Sequence, residues 1–365
     1  MALKCGIIGL TNTGKTTIFN CMSNTKAEAS SFAFSATKSN IGTVEVPDPR
    51  LYAIDALIKS AKVVPATVEI VDVPGLAKGA SQGEGVGNKF LADIQIMDAL
   101  IHVLRCFDDP QLPHIEGSID PVRDMEIVDF ELQVRDLDLV MRKIQRVEKL
   151  VKVGDKDARH ALDVLTTLKN HLENMGNARN APIEEEDRKY FSDLQLLTAK
   201  PVIYVCNVDD ASATNGNAYT AAVAEALKGQ NTEVLVIAGK LEAEISELED
   251  EADRAVFLAD AGLQEPGVNK LIRAAYHLLN LQSFFTAGPK EVRAWTIRKG
   301  MTAPLAAGVI HSDLERGFIR AEVMKYADFI TYKSEQGVKD AGKFRVEGKN
   351  YVVEDGDILH IRFNV

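Results

Sequence analysis

Short apolar runs alternate along the chain with longer segments of mixed polarity, and this alternation is typical of an α/β domain. Each run has the length of a strand and is bounded by glycine, proline or polar residues. A helix is predicted after the first run and an intervening segment at 9–16, from residues 17–20 onward. The runs that we interpret as strands cover residues 4–8, 42–46, 67–72, 101–106, 201–206 and 234–237.

More than ninety residues separate the runs at 101–106 and 201–206, whereas a crossover helix needs only about a dozen. The excess predicts a helical insertion at 128–197. Its apolar residues recur in steps of four and three, which predicts two helices packed as an antiparallel coiled coil. The predicted stripes are Phe130, Val134, Leu137, Met141, Ile144, Glu148 and Val151 on the first helix, and Ala161, Leu165, Leu168 and Leu172 on the second.

The turn between these two helices is predicted to be basic. Such a surface is suited to RNA phosphates, and it is equally typical of a solvated helix face. Both interpretations stay open from the sequence. The basic residues are Arg142, Lys143, Arg146, Lys149, Lys152, Lys156 and Arg159.

Residues 281–365 change to short alternating runs separated by turn residues, as in 291–297, 318–324 and 350–363. Alternation with a period of two predicts strands that bury one face. We therefore predict a small, sheet-rich C-terminal domain at 281–365. The first domain would then consist of residues 1–127 and 198–280, on either side of the insertion.

Composition narrows the class of protein. At 365 residues the chain is too long for one hydrophobic core. Its net charge of −11 argues against indiscriminate binding to nucleic acid, and we predict no sequence-specific DNA partner. The sequence has no signal peptide and no run of membrane-spanning length, so we expect a cytoplasmic protein without a membrane partner. Four scattered cysteines lack the C-x-x-C spacing of a zinc or redox site.

The segment between the first strand and the first helix carries the strongest chemical signal. Residues 9–16 read GLTNTGKT and match the phosphate-loop pattern G-x-x-x-x-G-K-[ST] at every fixed position. Backbone N–H groups in such a turn bind a polyphosphate, and the helix N-terminus adds a favourable partial charge. Lys15 is predicted to contact the β- and γ-phosphates, and the Thr16 hydroxyl to ligate Mg²⁺. The other predicted nucleotide-binding residues of this segment are Asn12, Thr13, Gly14 and Thr17.

The strand at 67–72 ends in a D-x-x-G motif formed by Asp72 and Gly75. In this motif the Asp72 carboxylate would hold Mg²⁺ through water, and the Gly75 N–H would face the γ-phosphate. Glycines recur from Gly75 to Gly87 and indicate a segment that changes shape at low cost. We interpret the segment as a switch ordered by triphosphate; the alternative is a surface loop without nucleotide coupling.

Residues that would recognise the base follow the last two strands of the first domain. Asn207 and Asp210 fit the N-K-x-D motif of GTPases, but Val208 replaces its lysine. An aspartate at the fourth position accepts two N–H bonds from guanine, so residue 210 influences the choice of base. Ala238 and Gly239, after the run at 234–237, are predicted to hold the base through their backbone.

In this order the motifs resemble the Obg-like ATPase family, in particular its YchF branch, over essentially the whole chain. The resemblance rests on Asn12 in the phosphate loop, the VPDPR segment at 46–50, the DVPGL segment at 72–76 with its following glycines, and Asn207 followed by a residue other than lysine. It implies a P-loop NTPase core of the GTPase type, a coiled-coil insertion and a C-terminal TGS-like β-grasp domain. It also implies Mg²⁺-dependent hydrolysis of ATP in preference to GTP, and association with ribosomes, ribosomal RNA or the stress machinery.

The resemblance further implies a substitute for the glutamine that orients water in many GTPases. Leu76 occupies that position, and its aliphatic side chain cannot hydrogen-bond water, so unaided turnover should be slow. The family's replacement is a histidine on a mobile loop, which corresponds to His114; the alternative is a surface histidine with no catalytic role. His114 and Lys15 are therefore the predicted catalytic residues.

Other positions depart from the family pattern. The Mg²⁺-ligating threonine of its first switch aligns with Ala36, next to Thr37, so we assign the metal only to Thr16 and Asp72. Asp210 replaces the usual glutamate and favours GTP, whereas the missing lysine favours ATP. We expect an ATPase; a GTPase in ribosome assembly and a nucleotide-gated adaptor with little hydrolysis are the alternatives. Asn12 also matches an asparagine that binds K⁺ in some related GTPases.

Overall fold

The computed structural model describes residues 3–23, 39–75 and 86–364. Its contacts divide the chain into two units. The first contains residues up to Gly42 together with Glu69–Leu271, and the second contains Thr43–Val68 and residues from Ile272 onward. The described elements are β1 (Lys4–Ile8), α1 (Lys15–Ser23), β2 (Asn40–Glu45), α2 (Pro49–Ile58), β3 (Val63–Val64), β4 (Thr67–Asp72), α3 (Val86–Gln95), β5 (Ala99–Arg105), α4 (Pro121–Lys152), α5 (Lys156–Glu173), β6 (Val202–Asn207), α6 (Ala218–Ala226), β7 (Glu233–Ile237), α7 (Gly239–Glu247), α8 (Glu251–Asp260), α9 (Gly267–Leu278), β8 (Leu281–Ala287), β9 (Val292–Arg298), α10 (Ala303–Ile310), α11 (Ser312–Arg316), β10 (Phe318–Lys325), α12 (Tyr326–Tyr332), α13 (Glu335–Asp340), β11 (Arg345–Glu347) and β12 (Asp357–Phe363).

The first sheet has the strand order β2-β4-β1-β5-β6-β7. Strand β1 pairs in parallel with β4 and β5, and β6 pairs in parallel with β5 and β7. All six strands predicted from apolar runs are present, and their ends differ from the prediction by no more than two residues. The carboxyl ends of the parallel strands meet at one edge, which is where ligands bind in open α/β sheets.

Helix α4 belongs to the core of the first unit from its first turns. Met125, Val128 and Leu132 of α4 pack in one cluster with Leu100 and Leu104 of β5. The helix therefore begins at Pro121, ahead of the insertion predicted at 128. Asp120 caps it by accepting the Arg123 N–H, and Pro121 at the first helical position needs no hydrogen-bond partner.

Beyond Asp136, α4 packs against α5, and we call residues 137–173 the helical arm. The predicted stripe of α5 is confirmed, because Ala161, Leu165, Leu168 and Leu172 are all buried. The predicted stripe of α4 is correct at Leu137, Ile144 and Val151, which pack against this core.

The same stripe is wrong at Phe130 and Met141, which are 39% and 43% exposed, and at Glu148, which is also exposed. Val140 and Val147 are buried instead. The predicted and the observed stripe share Leu137, Ile144 and Val151. At the positions between these, the observed stripe uses the residue one place earlier in the chain. The register that buries valines is favoured, since the predicted one would bury the Glu148 carboxylate without compensation.

The second unit contains a sheet in the order β11-β10-β12-β8-β9-β3. Its strand β3 comes from Thr43–Val68 and pairs in parallel with β9. The sequence predicts that this segment belongs to the first domain, because a two-residue, half-buried strand carries no periodic signal. The strand predicted at 350–363 begins only at Asp357, because Gly356 with a φ of 86° makes a turn before it. The division into three domains with the boundaries given above stays a prediction.

Candidate nucleotide-binding site

Residues 9–16 form a turn in which two glycines are required. A Cβ atom at Gly14, whose φ is 92°, would lie 2.2 Å from Asn207 Nδ2, and one at Gly9 would lie 2.4 Å from the Val103 carbonyl oxygen. Asn12 adopts a left-handed φ of 63°, which asparagine tolerates better than most residues. Helix α1 begins at Lys15, so the turn leads directly from β1 into a helix N-terminus. This is the strand, turn and helix arrangement that a phosphate loop needs.

The Lys15 side chain lies folded onto this turn. Its Nζ donates to the Leu10 carbonyl oxygen at 2.5 Å, and the residue is only 7% exposed. Thr13 Oγ1 donates to the same carbonyl at 3.1 Å. Burial lowers the pKa of Lys15 to about 8, although the nearby Asp72 carboxylate opposes this shift. Asp72 compensates the buried Lys15 charge only in part, and a phosphate group would supply a further anionic partner.

The lowered pKa predicts that nucleotide affinity weakens as the pH rises through about 8. Bound phosphates favour the charged form and raise the Lys15 pKa, so above pH 8 binding must take up a proton. We expect binding of a non-hydrolysable ATP analogue to be about tenfold weaker at pH 9 than at pH 7. Calorimetry in two buffers of different ionisation enthalpy should show proton uptake at pH 8.5 and little at pH 7. Equal heats in both buffers at pH 8.5 would contradict the assignment.

Thr16 and Asp72 lie together, as the metal prediction requires. Thr16 Oγ1 donates to Asp72 Oδ2 at 2.8 Å, and Asp72 Oδ1 is buried without a hydrogen-bond partner. Burial raises the pKa of Asp72, although Thr16 and Lys15 counteract it. A hydroxyl beside a buried carboxylate oxygen without a partner fits the hard oxygen ligands that Mg²⁺ prefers. Proteins with a P-loop NTPase fold generally use Mg²⁺.

Gly75 brings the D-x-x-G turn against the phosphate loop. A Cβ atom at Gly75 would lie 3.1 Å from Thr11 Cα and 3.2 Å from Lys15 Nζ. Such contacts are tighter than most side chains tolerate, so the close approach requires glycine. The backbone of Gly75 is therefore next to the group predicted to hold the γ-phosphate.

Asn207 joins the base-recognition residues to the phosphate loop. Its Nδ2 donates to the Thr13 carbonyl oxygen at 2.9 Å, and its Oδ1 accepts the Gly239 N–H at 2.9 Å. Val208 is buried, and Ala238 is the capping residue before α7. Asp210 is exposed in the turn after β6, where a carboxylate is accessible to a ligand. The structure thus brings Asn207 at the end of β6 together with Thr13 of the phosphate loop and Gly239 at the start of α7.

His114 does not lie on the surface, and its ring is fully engaged. Its side chain is 3% exposed, and Nε2 lies 2.7 Å from Asp124 Oδ2. The Glu116 N–H donates to Nδ1 at 3.1 Å. The adjacent Pro113 carbonyl accepts a hydrogen bond from Asn12 Nδ2 at 3.1 Å, so the backbone beside His114 contacts the phosphate loop.

Two buried charged residues that support the segment around His114 are not among the site residues predicted from the sequence. Arg105 is 1% exposed at the end of β5 and donates to carbonyls of the segment that follows it. A charged residue inside an apolar run is unusual, so the arginine in the run at 101–106 is a signal from which a role for Arg105 could be predicted. Asp124 offered none, because an aspartate in the first turn of a helix is common.

Several predictions fall on residues outside the described ranges. They concern Leu76 at the glutamine position, Thr37 as a metal ligand, and residues 76–85 of the glycine-rich switch; Gly87 at the end of the switch lies in α3. Thr17 is described as a half-buried residue of α1.

The parallel strands of the first sheet, the phosphate loop and the Asn207 bridge define a P-loop nucleotide-binding protein of the GTPase type. Over its full length the chain is 48% identical to a Haemophilus ducreyi protein and 47% identical to a Bacillus subtilis protein, and each match also covers all of the relative. The chain therefore belongs to the YchF family. Both relatives carry the name ribosome-binding ATPase YchF.

Two family models and a solved structure agree with this membership. A model described as a 50S ribosome-binding GTPase matches residues 4–143. The C-terminal model of YchF GTPases, described as a protein of unknown function, matches residues 281–364. The Schizosaccharomyces pombe YchF GTPase structure superposes with a TM-score of 0.85 at 32% identity and covers 99% of this chain and 97% of that one. The resemblance seen in the sequence is confirmed, together with the predicted fold class. No helix within the described ranges has the length and apolarity needed to cross a bilayer.

Proposed function

We propose that this protein hydrolyses ATP in preference to GTP and acts as a nucleotide switch on the ribosome. The observation that carries the proposal is the convergence of Lys15, Thr16, Asp72 and Asn207 on one loop. They contribute an ammonium, a hydroxyl, a carboxylate and an amide that suit a nucleoside triphosphate. The names of the full-length relatives support the substrate and the partner.

Each of these residues has a defined role in the proposal. Lys15 leaves the Leu10 carbonyl and neutralises charge on the β- and γ-phosphates. Thr16 and Asp72 would hold Mg²⁺, which when bound neutralises phosphate charge. The Gly75 N–H faces the γ-phosphate and transmits its presence to the segment that follows. His114 orients the attacking water once its ring is released.

ATP preference depends on residues 207–210. Val208 is buried and apolar, and it cannot provide the lysine stem that packs on the base in N-K-x-D proteins. A second function, hydrolysis of GTP, is favoured by one observation, the exposed Asp210 carboxylate. We further propose that Asn12 binds K⁺. The Asn12 amide nitrogen is engaged with Pro113, and its oxygen would be the ligand.

The proposed ribosome contact is the tip of the helical arm. Two of its basic residues are paired, Arg142 with Asp138 and Lys143 with Asp193. The five others are exposed around the turn after α4, which suits phosphate contacts, although a solvated face has the same composition. They are Arg146, Lys149, Lys152, Lys156 and Arg159.

Competition and turnover measurements test these proposals together. ATP should displace a labelled triphosphate analogue at lower concentration than GTP, and ribosomes should raise ATP turnover. Changing Lys149 and Lys152 to glutamate should remove the stimulation and leave ribosome-free turnover intact. Preferred displacement by GTP would favour the GTPase, and absence of turnover with or without ribosomes would favour an adaptor.

A further inference from the structure

The segment that carries His114 is held by side chains outside it. We call residues 107–117 the histidine loop. Arg105 precedes the loop, Asp124 follows it in α4, and Asn12 reaches it from the phosphate loop. These contacts set the resting position of His114, and their importance for activity rests on the proposed function of that residue in hydrolysis.

Arg105 fixes the first half of the histidine loop. Its guanidinium donates to the carbonyl oxygens of Phe107, Asp109 and Leu112 at 3.2, 3.3 and 2.8 Å. The cation also lies over the Phe107 ring, 4.8 Å from its centroid. Three backbone bonds from one buried, planar cation hold this half in a single conformation.

His114 is held through both nitrogens of its ring. Because Nδ1 accepts the Glu116 N–H, it carries no proton. Nε2 therefore carries the proton and donates it to Asp124 Oδ2 at 2.7 Å. The two side chains are 3% and 1% exposed. In this state the imidazole offers water neither a free lone pair nor a free N–H.

The carboxylate that receives this bond is itself immobilised. Asp124 Oδ1 accepts two bonds from the Arg123 guanidinium, at 3.2 Å from Nε and 2.8 Å from Nη2. Arg123 in turn donates to the hydroxyl and the carbonyl of Ser118, just beyond the histidine loop. Asp124 is thus a fixed acceptor, so His114 can reach a water only by breaking its bond to it.

We propose that Asp124 is a positioning residue that retains His114 in a non-reacting orientation, and that this contact must open before hydrolysis. The Asn12 bond to the Pro113 carbonyl connects the opening to the ligand. Phosphates that rearrange the turn at residue 12 act on the backbone directly before His114. The nucleotide site and the retained histidine are therefore mechanically linked in the described chain.

Asp124→Asn tests this retention because it preserves the shape of the side chain. The Asn oxygen still accepts from Arg123, but its NH₂ group faces the Nε2–H of His114, and two donors cannot bond. If the imidazole proton moves to Nδ1, it faces the Glu116 N–H instead. One of the two bonds is lost in either tautomer, so the variant weakens retention without removing the side chain.

We expect Asp124→Asn to raise the ribosome-free kcat for ATP about tenfold, the factor that corresponds to losing one charge-assisted hydrogen bond. KM should stay within about twofold, since the nucleotide contacts are untouched. The increase should vanish in the double variant with His114→Ala. The matched control is Asp187→Asn. It replaces a carboxylate that His160 Nε2 of the helical arm contacts at 2.8 Å at the surface, and it should leave kcat unchanged.

A lower kcat in Asp124→Asn would overturn the proposal, because it would show that the carboxylate supports catalysis. An unchanged kcat in a variant with the wild-type thermal midpoint would overturn it as well. If this variant does not fold, Arg123→Ala replaces it. The Arg123 side chain is 29% exposed, and its loss frees the Asp124 carboxylate, so a smaller increase that still requires His114 is expected. No increase in folded Arg123→Ala would then refute retention.

A different set of results is expected if the proposed role of His114 in hydrolysis is wrong. If His114→Ala alone hydrolyses ATP at the wild-type rate, His114 has no part in hydrolysis. If His114→Ala is slow and neither Asp124→Asn nor Arg123→Ala is faster than wild type, the proposed role of His114 stands and retention by Asp124 fails.

Discussion

Lys15→Ala is expected to raise the dissociation constant for ATP by about a hundredfold or more. The Lys15 ammonium is buried and its pKa is lowered to about 8, so it is poorly solvated before ligand arrives. Triphosphate provides a stronger anionic partner than the Leu10 carbonyl that Nζ contacts at 2.5 Å. Alanine leaves the phosphate charge without this cation in a site with little water to replace it.

Calorimetry with a non-hydrolysable ATP analogue measures this loss. The ligand-free variant should keep the thermal midpoint of the wild type, since alanine removes a desolvated charge and leaves the turn intact. Lys228→Ala is the matched control, because Lys228 is 74% exposed and pairs only with Glu225 on the surface of the described chain. Unchanged affinity in Lys15→Ala would refute the nucleotide site itself.

His114→Ala is expected to lower kcat for ATP by about a hundredfold while nucleotide affinity stays the same. Leu76 occupies the position of the usual water-orienting glutamine and has no hydrogen-bonding group. His114 is the residue proposed to replace it, and its ring bonds to Asp124 and to the Glu116 N–H, neither of which is predicted to bind the nucleotide. Removing it therefore affects the reaction more than binding.

The control for this variant must remove a histidine of the same kind. His160 pairs with Asp187 at 2.8 Å but lies on the arm with its side chain 54% exposed, and His160→Ala should keep wild-type turnover. His114→Ala loses both hydrogen bonds of the ring and leaves the buried Asp124 oxygen without this donor. It should cost about 1–3 kcal/mol of stability, so turnover is measured well below the unfolding transition. Single-turnover rates and analogue affinity separate the two effects. A single-turnover rate equal to that of wild type would exclude His114 from the reaction.

Most of the nucleotide site is predictable from the sequence, because its chemistry is local. Gly9, Gly14, Lys15 and Thr16 act within one turn, and a turn of fixed spacing has few conformations that satisfy its backbone. Asp72 and Asn207 are predictable because Asp72 ends one apolar run and Asn207 directly follows another, and parallel strands bring such ends to one edge.

The burial of His114 is not predictable from the sequence. Its loop position suggests an accessible ring, but burial depends on Asp124, ten residues further on and in another element. No periodic pattern relates these two positions, and the Arg123 bonds that fix the carboxylate add a third residue. The predicted register of α4 is wrong for a similar reason: the two stripes share every second position, and packing against α5 buries Val140 instead of Met141.

The sequence alone determined the class of fold and the phosphate-loop motif, and it predicted the residues that would hold nucleotide and metal, since these depend on short motifs and on the period of apolar residues. The tertiary structure decided that Thr43–Val68 joins the second unit, which face of α4 is buried, and that His114 is bonded to Asp124. These features depend on contacts between residues far apart in the chain, whose energies are set by the burial and partners that folding creates.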